Sequence, residues 1–294
     1  MSKILKNNWQ FHLANSLMRG NWFIDPQFMT SQAEIVVNLL NKKEINISAE
    51  RAEYDMLWGN GTAIYGIREE WKLLPKNSVA IFPIKGTMFK EGTWCSYGTE
   101  EIEQYMKTAA AQSNIVGAVL TINSPGGEVS AVAPMHRGIK AFKEAGKPVV
   151  STCDTCMSAA YYAAIETDLI LADNDISADF GSIGVMSNFI DAQQVYEKQG
   201  YVFHRIKAEE SADKNVAFEK ALKGDYEMLK SEALSPLAIK FQNDVKQARG
   251  AKLNLDTSGI LNGKTFYAKK ALEVGLIDGF GDINKAVQLV IELS

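Results

Sequence analysis

The sequence predicts an α/β fold with a mainly parallel sheet, preceded by an extension of mixed helix and loop. From residue 78 onward, short β-branched runs alternate with stretches of helical periodicity. That rhythm is typical of βαβ units, whose strands lie buried between helices. Before it, residues 31–43 repeat their apolar positions at helical spacing and glycines punctuate residues 58–66. We therefore expect an N-terminal extension over residues 1–75 and one α/β domain over residues 76–294.

The first half of this domain contains two predicted strands, each followed by a helix. SVAIFPIKG and NIVGAVLTI are short, apolar and rich in β-branched residues, which favours buried strands. TEEIEQYMKTAAAQS spaces its apolar residues for a helix and places its charges on the opposite, exposed face. The elements expected here are a strand at 78–86, a helix at 99–113, a strand at 114–122 and a helix near 132–145.

The second half continues the alternation and brings a serine to the start of a helix. PVVSTC predicts a strand, and SAAYYAAIE predicts a helix that begins at Ser158 itself. Pro236 interrupts a long helical stretch and predicts a kink or break there. The remaining expected elements are a strand at 168–172, a turn at FGSIGVM, a helix at 191–198, a strand at YVFHRIK (201–207), helix over 215–249, and strand, helix, strand, helix over 261–292.

Composition narrows the function classes. The chain has 294 residues, a hydrophobic fraction of 46% and a charged fraction of 22%, which are ordinary for a globular protein. Its net charge of −4 argues against broad nucleic-acid binding. The apolar run at 115–122 is far shorter than the roughly 18 to 20 residues of a membrane-spanning helix, and the N-terminus lacks the continuous apolar core of a secretory signal. We expect a cytoplasmic protein without a membrane span.

A serine and a lysine are the candidate catalytic pair. A serine hydroxyl needs a neighbouring base to take its proton during attack. No histidine lies between residues 137 and 203, whereas Lys214 follows Ser158 by 56 positions, so a lysine is the expected base. A lysine can act in this way only if burial or nearby positive charge lowers its pKa from about 10.4. Ile206 and Phe218 could supply an apolar pocket around Lys214, and Tyr161 and Tyr162 could supply it near the serine.

A glycine turn upstream offers backbone donors for the oxyanion. NSPGGEV, residues 123–129, directly follows a predicted strand, and glycine lets the backbone approach a substrate closely. The N–H groups of Gly126 or Gly127 and of Ala159, just after the serine, are therefore candidate oxyanion donors. By itself the SPGG sequence is a common turn, and its significance comes from the serine and lysine that follow it.

In this order, NSPGG, MSAAYYAA, FGSIGV, IKAEESADK and NGKTFYAKKALEVGLIDGFGD resemble the signal peptide peptidase A (protease IV) family, the S49 serine peptidases. The resemblance covers about residues 78–290 and implies a ClpP/crotonase-like fold. It implies that Ser158 is the nucleophile, Lys214 the general base and Ser182 a partner of that lysine. An extended peptide substrate would pair with the SPGG and GSIGV segments, which makes Gly181 and Gly184 substrate-binding candidates. No cofactor or metal is implied, and a homo-oligomer is expected.

Two departures from the family leave alternatives open. The family usually has Ser-Gly-Gly where this chain has Ser158-Ala159-Ala160, so the backbone after the nucleophile must avoid positive φ. The linker from Lys207 to Lys214 is longer than usual, so Lys207 remains an alternative base, and a neighbouring subunit could also supply the base.

The function expected is a serine endopeptidase with a Ser-Lys dyad, of the branch that prophages encode for capsid and scaffold processing. A housekeeping protease of the signal-peptide-peptidase kind is the alternative within the family. A crotonase-like acyl-CoA enzyme and an inactive assembly protein are the alternatives from other classes.

Other residues with catalytic potential are given structural interpretations. Cys153 and Cys156 form a single C-x-x-C motif, which we interpret as packing rather than as a zinc or redox site. His136 and His204 are interpreted as ordinary core or surface residues, because a ClpP-type triad would place histidine near Ile183 or Gly184.

Overall fold

The computed structural model describes residues 21–24, 55–59, 62–65, 74–92, 96–189, 191 and 193–294. They form twelve strands and nine α-helices. The strands are β1 (Asn21–Ile24), β2 (Asp55–Gly59), β3 (Thr62–Tyr65), β4 (Ser78–Lys85), β5 (Ile115–Ser124), β6 (Gly126–Glu128), β7 (Val149–Met157), β8 (Leu169–Ala172), β9 (Asp179–Gly181), β10 (Met186–Ser187), β11 (Thr265–Tyr267) and β12 (Gly279–Phe280). The helices are α1 (Thr99–Ala110), α2 (Val132–Glu144), α3 (Ala159–Ala164), α4 (Gln193–Lys198), α5 (Val216–Ala221), α6 (Glu227–Leu229), α7 (Ser235–Arg249), α8 (Ala268–Glu273) and α9 (Ile283–Leu293).

Nine strands make the main sheet, and its centre is parallel. The order is β11-β9-β7-β5-β4-β2-β3, with β8 also pairing with β7 and β12 pairing with β8. The pairs β4–β5, β5–β7, β7–β8, β7–β9 and β8–β12 are parallel, whereas β2 and β11 join their neighbours antiparallel. The expected α/β class with a mainly parallel sheet is therefore confirmed.

Helices cover both faces of the central strands. Successive side chains of a strand point to opposite faces, and β4 shows the result: Ala80, Phe82 and Ile84 belong to a large core with α1, α2 and α3, whereas Val79 and Ile81 pack towards α9. Burial on both faces explains why the predicted strands of this region are apolar runs without alternation.

A second, three-stranded sheet lies beside the main one. Its order is β10-β1-β6, and the middle strand pairs antiparallel with both neighbours. Strand β6 is the glycine turn of the predicted site, and β10 follows the GSIG turn. The four residues of β1, from the N-terminal extension, thus lie between the two segments that were expected to bind a peptide.

The structure differs from the sequence predictions in two places. YVFHRIK was predicted as a strand, but residues 201–207 have no regular secondary structure and most of their side chains are exposed. The extension contains the strands β1, β2 and β3 rather than the expected helix and loop: β1 pairs with β6 and β10, β2 pairs with β4, and β3 pairs with β2. The predicted helix at 31–43 lies outside the described residues, and the domain boundary near residue 75 stays a prediction.

The interruption expected at Pro236 is found just before that residue. Five residues, Lys230–Leu234, form a π-helical turn, and α7 then begins with the proline in its first turn. The first turn of a helix tolerates proline, because its N–H groups have no intrahelical acceptor. In the described part of the chain, no helix is both long and apolar enough to cross a bilayer.

Candidate active site

Ser158 occupies a strained position between the end of β7 and the start of α3. Its backbone angles are φ 52° and ψ −116°, in a region that residues with a side chain rarely adopt. Ala159 and Ala160, which follow it, are helical and buried. The positive φ therefore falls on the serine itself, and the alanines that replace the usual glycines are accommodated without strain. Sharp strand-to-helix turns of this kind present a nucleophilic side chain in other hydrolases.

The GSIG turn holds this serine in place. The Ser158 N–H donates to the Gly181 carbonyl at 2.8 Å, and the Ser158 hydroxyl lies 3.5 Å from the Gly184 carbonyl oxygen. The hydroxyl distance is at the long limit for a hydrogen bond, so the contact is weak. Ser158 is only 1% exposed. The structure thus brings together the serine and the turn that the sequence analysis assigned to the site.

The backbone of Lys264 passes so close to position 181 that only glycine fits there. A Cβ there would lie 2.6 Å from the Lys264 carbonyl oxygen, and φ is 113°. Ser182 also has positive φ, at 52°, and its N–H donates to the same Lys264 carbonyl at 3.0 Å. The backbone at Lys264, which the sequence analysis did not single out, therefore fixes the conformation of this turn.

The glycine turn at Gly126 and Gly127 lies against Met88. The Met88 N–H donates to the Gly126 carbonyl at 2.8 Å, and the Glu128 N–H donates to the Met88 carbonyl at 2.9 Å. A Cβ on Gly127 would lie 2.0 Å from the Met88 carbonyl oxygen, so only glycine fits there. This close approach of two backbones is the physical reason for the second glycine of SPGG.

The three candidate oxyanion donors differ in availability. The Gly126 N–H already donates to the Ser124 hydroxyl at 3.2 Å. Because Gly126 and Glu128 direct their bonds to Met88, the N–H and C=O of Gly127 point to the opposite side, towards β1. Ala159 is in the first turn of α3, where the N–H has no intrahelical acceptor. Geometry therefore favours Ala159 and, on the side that β1 occupies, Gly127 over Gly126.

The two candidate lysines have different surroundings. Lys214 is exposed, in a turn where its own N–H donates to the Ser211 carbonyl at 3.0 Å. Among the described residues, the Lys214 ammonium has neither a hydrogen bond nor an ion pair. It makes no contact of either kind with Ser158. The Lys207 ammonium forms an ion pair with Glu219 at 2.9 Å. The nitrogen of Lys207 is thus already engaged by a carboxylate, which counts against Lys207 as the partner of Ser158.

The apolar pocket expected around the lysine is incomplete in the single chain. Ile206 is 93% exposed, and Phe218 is partly exposed and contacts Phe189 edge-on at 5.2 Å between ring centroids. Neither side chain shields Lys214 from water.

The two tyrosines after the serine have structural partners. Tyr161 is fully buried and donates to the Leu276 carbonyl at 2.7 Å. Tyr162 stacks on Phe241 at 4.1 Å and donates to the carboxylate of Asp244. Burial raises the pKa of both phenols, and the hydrogen bond to Asp244 adds to this effect at Tyr162. These residues anchor α3 and with it the position of Ser158.

The cysteines and histidines lie in structural surroundings. Cys153 and Cys156 are buried free thiols in β7, and burial, followed by the hydrogen bond with Cys156, raises the pKa of Cys153 well above its usual value. A raised pKa disfavours the reactive thiolate. His136 contacts the Tyr162 carbonyl at 2.8 Å, and His204 is exposed. Across the described ranges, no group of three His, Cys, Asp or Glu side chains could hold a metal ion.

The second half of the chain matches a known protein family. The model described as Peptidase family S49 matches residues 141–294, which include Ser158, the GSIG turn and both lysines. Similar proteins include the chloroplastic serine protease SPPA of Arabidopsis thaliana, 25% identical over 71% of this chain and 30% of that protein. Protease 4 of Haemophilus influenzae is 25% identical over 74% of this chain and 35% of its own length. The chain thus spans about a third of these two relatives.

Among solved structures, a membrane-bound stomatin-specific protease in complex with a substrate peptide is similar, with a TM-score of 0.46 and 17% identity. The match covers 72% of this chain and 78% of that one. At this score it adds nothing to the sheet topology described above.

Proposed function

Because the chain belongs to peptidase family S49, a family of serine peptidases, we propose that it is an endopeptidase in which Ser158 is the nucleophile. The observation that carries the proposal is the conformation of Ser158: a strained turn between β7 and α3 directs its hydroxyl towards the GSIG turn. Strain of about 1–3 kcal/mol persists only where the surrounding structure imposes it, and it is concentrated at functional sites.

In the proposed reaction, the Ser158 oxygen attacks the carbonyl carbon of a peptide bond while its proton passes to a lysine amine. The tetrahedral intermediate collapses, the C–N bond breaks, and the amine product leaves with that proton. Water then hydrolyses the acyl-enzyme with the lysine again acting as base. We assign the base to Lys214, because the ammonium of Lys207 is already paired with Glu219.

Backbone N–H groups of Gly127 and Ala159 would stabilise the oxyanion of each intermediate. In comparable enzymes, a fixed N–H donor of this kind lowers the activation free energy by about 3 to 4 kcal/mol. Ser182 would orient the lysine, an assignment taken from the resemblance to the family. Gly181 and Gly184 belong to the turn that positions Ser158, and the turn would also form one wall of the peptide site.

Lys214 must lose contact with water before its amine can act as a base, and the single chain leaves it exposed. We propose that a homo-oligomer or the bound peptide covers it. The exposed apolar side chains of Tyr201, Val202 and Phe203, in the same irregular segment, support an interface with a second copy. A base supplied by a neighbouring subunit is the variant of this proposal in which the dyad forms between copies.

The experiment is to follow labelling of Ser158 with a fluorophosphonate by mass spectrometry in wild type and in Lys214→Ala and Lys207→Ala variants. We expect Lys214→Ala to lower the labelling rate at least about 100-fold, because a general base contributes about 10²–10⁴-fold. Lys207→Ala should label within a few-fold of wild type.

Ser158→Ala is the control for site specificity and should take up no label. The reverse result for the two lysines would move the base to Lys207. If wild type takes up no label and digests casein no faster than Ser158→Ala, the chain is not a serine peptidase and an inactive assembly protein becomes the better description.

The biological role is a finer proposal. Processing of capsid and scaffold proteins, as in prophage-encoded members, remains our first assignment, and it rests on the resemblance noted from the sequence. The relatives named above, serine protease SPPA and protease 4, favour the alternative within the family, a housekeeping protease of the signal-peptide-peptidase kind. Parallel digests of a phage scaffold protein and of a synthetic signal peptide would separate the two roles.

A further inference from the structure

The groove between the glycine turn and the GSIG segment already contains a peptide strand from this chain. Strand β1 pairs antiparallel with β6 through Trp22–Glu128, Phe23–Gly127 and Ile24–Gly126. On its other side it pairs antiparallel with β10 through Asn21–Ser187 and Trp22–Met186. An extended peptide bound by main-chain hydrogen bonds on both edges is the arrangement expected for a substrate of this site.

Strand β1 also uses the backbone groups that a substrate would need. The N–H and C=O of Gly127 point away from Met88 and towards Phe23 of β1. In an antiparallel ladder, a pair oriented in this way exchanges both hydrogen bonds. A substrate carbonyl could reach the Gly127 N–H only after β1 has released it.

Strand β1 runs towards the candidate nucleophile. Its register with β10 sets Asn21 opposite Ser187 and Trp22 opposite Met186, so the next residues of β1 run towards the GSIG turn. The carbonyl oxygen of Gly184 lies 3.5 Å from the Ser158 hydroxyl. The chain therefore runs towards Ser158, and Ile24 lies at the end of the groove nearest the nucleophile.

Two alternate side chains of β1 are apolar and buried. Trp22 and Ile24 point to the same face of the strand and are both buried. Trp22 contacts Phe89 edge-on at 5.9 Å. Its indole N–H has no acceptor among the described residues, although a buried indole in a permanent core normally finds one. The unpaired indole N–H of Trp22 is therefore consistent with β1 being a segment that can leave this position.

We propose that strand β1 is an internal peptide ligand of the substrate groove, and that peptide substrates with apolar side chains at alternate positions bind only when β1 leaves. This inference rests on the proposed function for the identity of the groove. It makes the N-terminal segment a competitive inhibitor built into the same chain.

The test is a reversible tether in the full-length protein, made by combining Asn21→Cys with Ser187→Cys. These residues are directly paired, and the Cα atoms of such pairs are about 4.5–5.5 Å apart, within the range that a disulfide spans. Two quantities are measured under oxidising and reducing conditions: the rate of Ser158 labelling by a fluorophosphonate, and the affinity for a fluorescein-labelled peptide with the sequence of residues 19–26.

If β1 occludes the groove, the oxidised protein should bind the peptide at least tenfold more weakly and label at least tenfold more slowly than the reduced protein. The two single-cysteine variants are controls for oxidation of the native thiols and should respond to neither condition. Equal peptide affinity in the oxidised and reduced double variant would overturn the inference.

Loss of the proposed function would have a different signature. Suppose that peptide affinity differs between the oxidised and reduced double variant, but Ser158 takes up no label in either state. Strand β1 would then still be a ligand of the groove, and the proposal of a serine peptidase would be rejected. A Trp22→Ala variant that folds, as judged by circular dichroism, should bind the peptide more tightly than wild type. Weaker binding in that variant would mean that β1 helps to build the groove, and would also overturn the inference.

Discussion

Ser158 is held in a backbone conformation that glycine adopts easily and other residues do not. Four described non-glycine residues have positive φ, and two of them, Ser158 and Ser182, are in the candidate site. Both are fixed by backbone hydrogen bonds, from Ser158 to Gly181 and from Ser182 to Lys264. The site is therefore shaped by main-chain geometry before any side chain contributes.

This strain predicts an unusual order of stability for two inactive variants. Ser158→Gly should be more stable than Ser158→Ala by about 1 kcal/mol, because glycine avoids the Cβ clash at positive φ. Urea unfolding at neutral pH would measure the difference. In the helix that follows, Ala160→Gly should have the opposite effect and lower the stability by about 1 kcal/mol relative to the native alanine. Equal stability of the two Ser158 variants would show that the turn carries no strain.

At the scale of single elements, a buried ion pair ties α7 to the segment before β12. Arg249 donates to both carboxylate oxygens of Asp278, at 2.9 and 3.0 Å, and also to the Gly275 carbonyl. Asp278 in addition accepts from Lys252 and from the Ile170 N–H. Burial alone would raise the pKa of Asp278, but these donors outweigh it and hold the pKa below its usual range.

The lowered pKa gives a pH dependence with a definite sign. A carboxylate with a folded-state pKa below its unfolded value of about 3.9 contributes stability above that value and loses it as the pH falls through the folded pKa. Wild type should therefore lose unfolding free energy below about pH 4. Asp278→Asn should cost about 3 kcal/mol at pH 7, since it leaves Arg249 buried without its charge partner, and should flatten this acid dependence.

Denaturant unfolding between pH 2.5 and pH 7 measures both effects. Glu292→Gln, which changes a carboxylate on the exposed face of α9, is the control and should leave stability and its slope with pH nearly unchanged. If the unfolding free energy of Asp278→Asn falls with decreasing pH as steeply as that of wild type, the loss of stability in acid does not come from the Arg249–Asp278 ion pair.

Elements formed by local patterns were predictable from the sequence. The apolar runs of β4, β5 and β7, the periodicity of α1 and α2 and the turn residues before β6 each carry their signal within a few positions. Ser158 was placed at a helix start for the same reason. These predictions needed no knowledge of distant contacts.

Non-local contacts were not predictable. YVFHRIK has strand-like composition, yet no strand in the described part of the chain pairs with it, so composition alone misled. Conversely, the four residues of β1 have no distinctive pattern, and only the open edges of β6 and β10 make them a strand. The surroundings of Lys214 depend on whether a second copy of the chain or a bound peptide covers residues 201–214. The sequence pattern around Lys214 carries no information about such a contact.

At the scale of the whole molecule, the exposed apolar segment predicts self-association. Val202 is 75% exposed, and Ile206 in the same segment is almost fully exposed. An Ile206→Lys substitution should reduce the mass of the assembly measured by light scattering, because a charge in a buried interface is costly. Ile176→Lys, at an equally exposed isoleucine in another loop, should leave the mass unchanged. A wild-type mass equal to one chain would reject the oligomer.

The hairpin of β2 and β3 has a consequence for any shortened form of the chain. Strand β2 pairs with β4 at Leu57–Ala80 and Trp58–Val79, and β4 is eight residues long and almost entirely apolar. Without the hairpin, β4 would be a bare sheet margin with unpaired amides, a surface that recruits other chains and leads to precipitation. A shortened form that lacks the β2–β3 hairpin is therefore expected to aggregate through the edge of β4 that β2 otherwise covers.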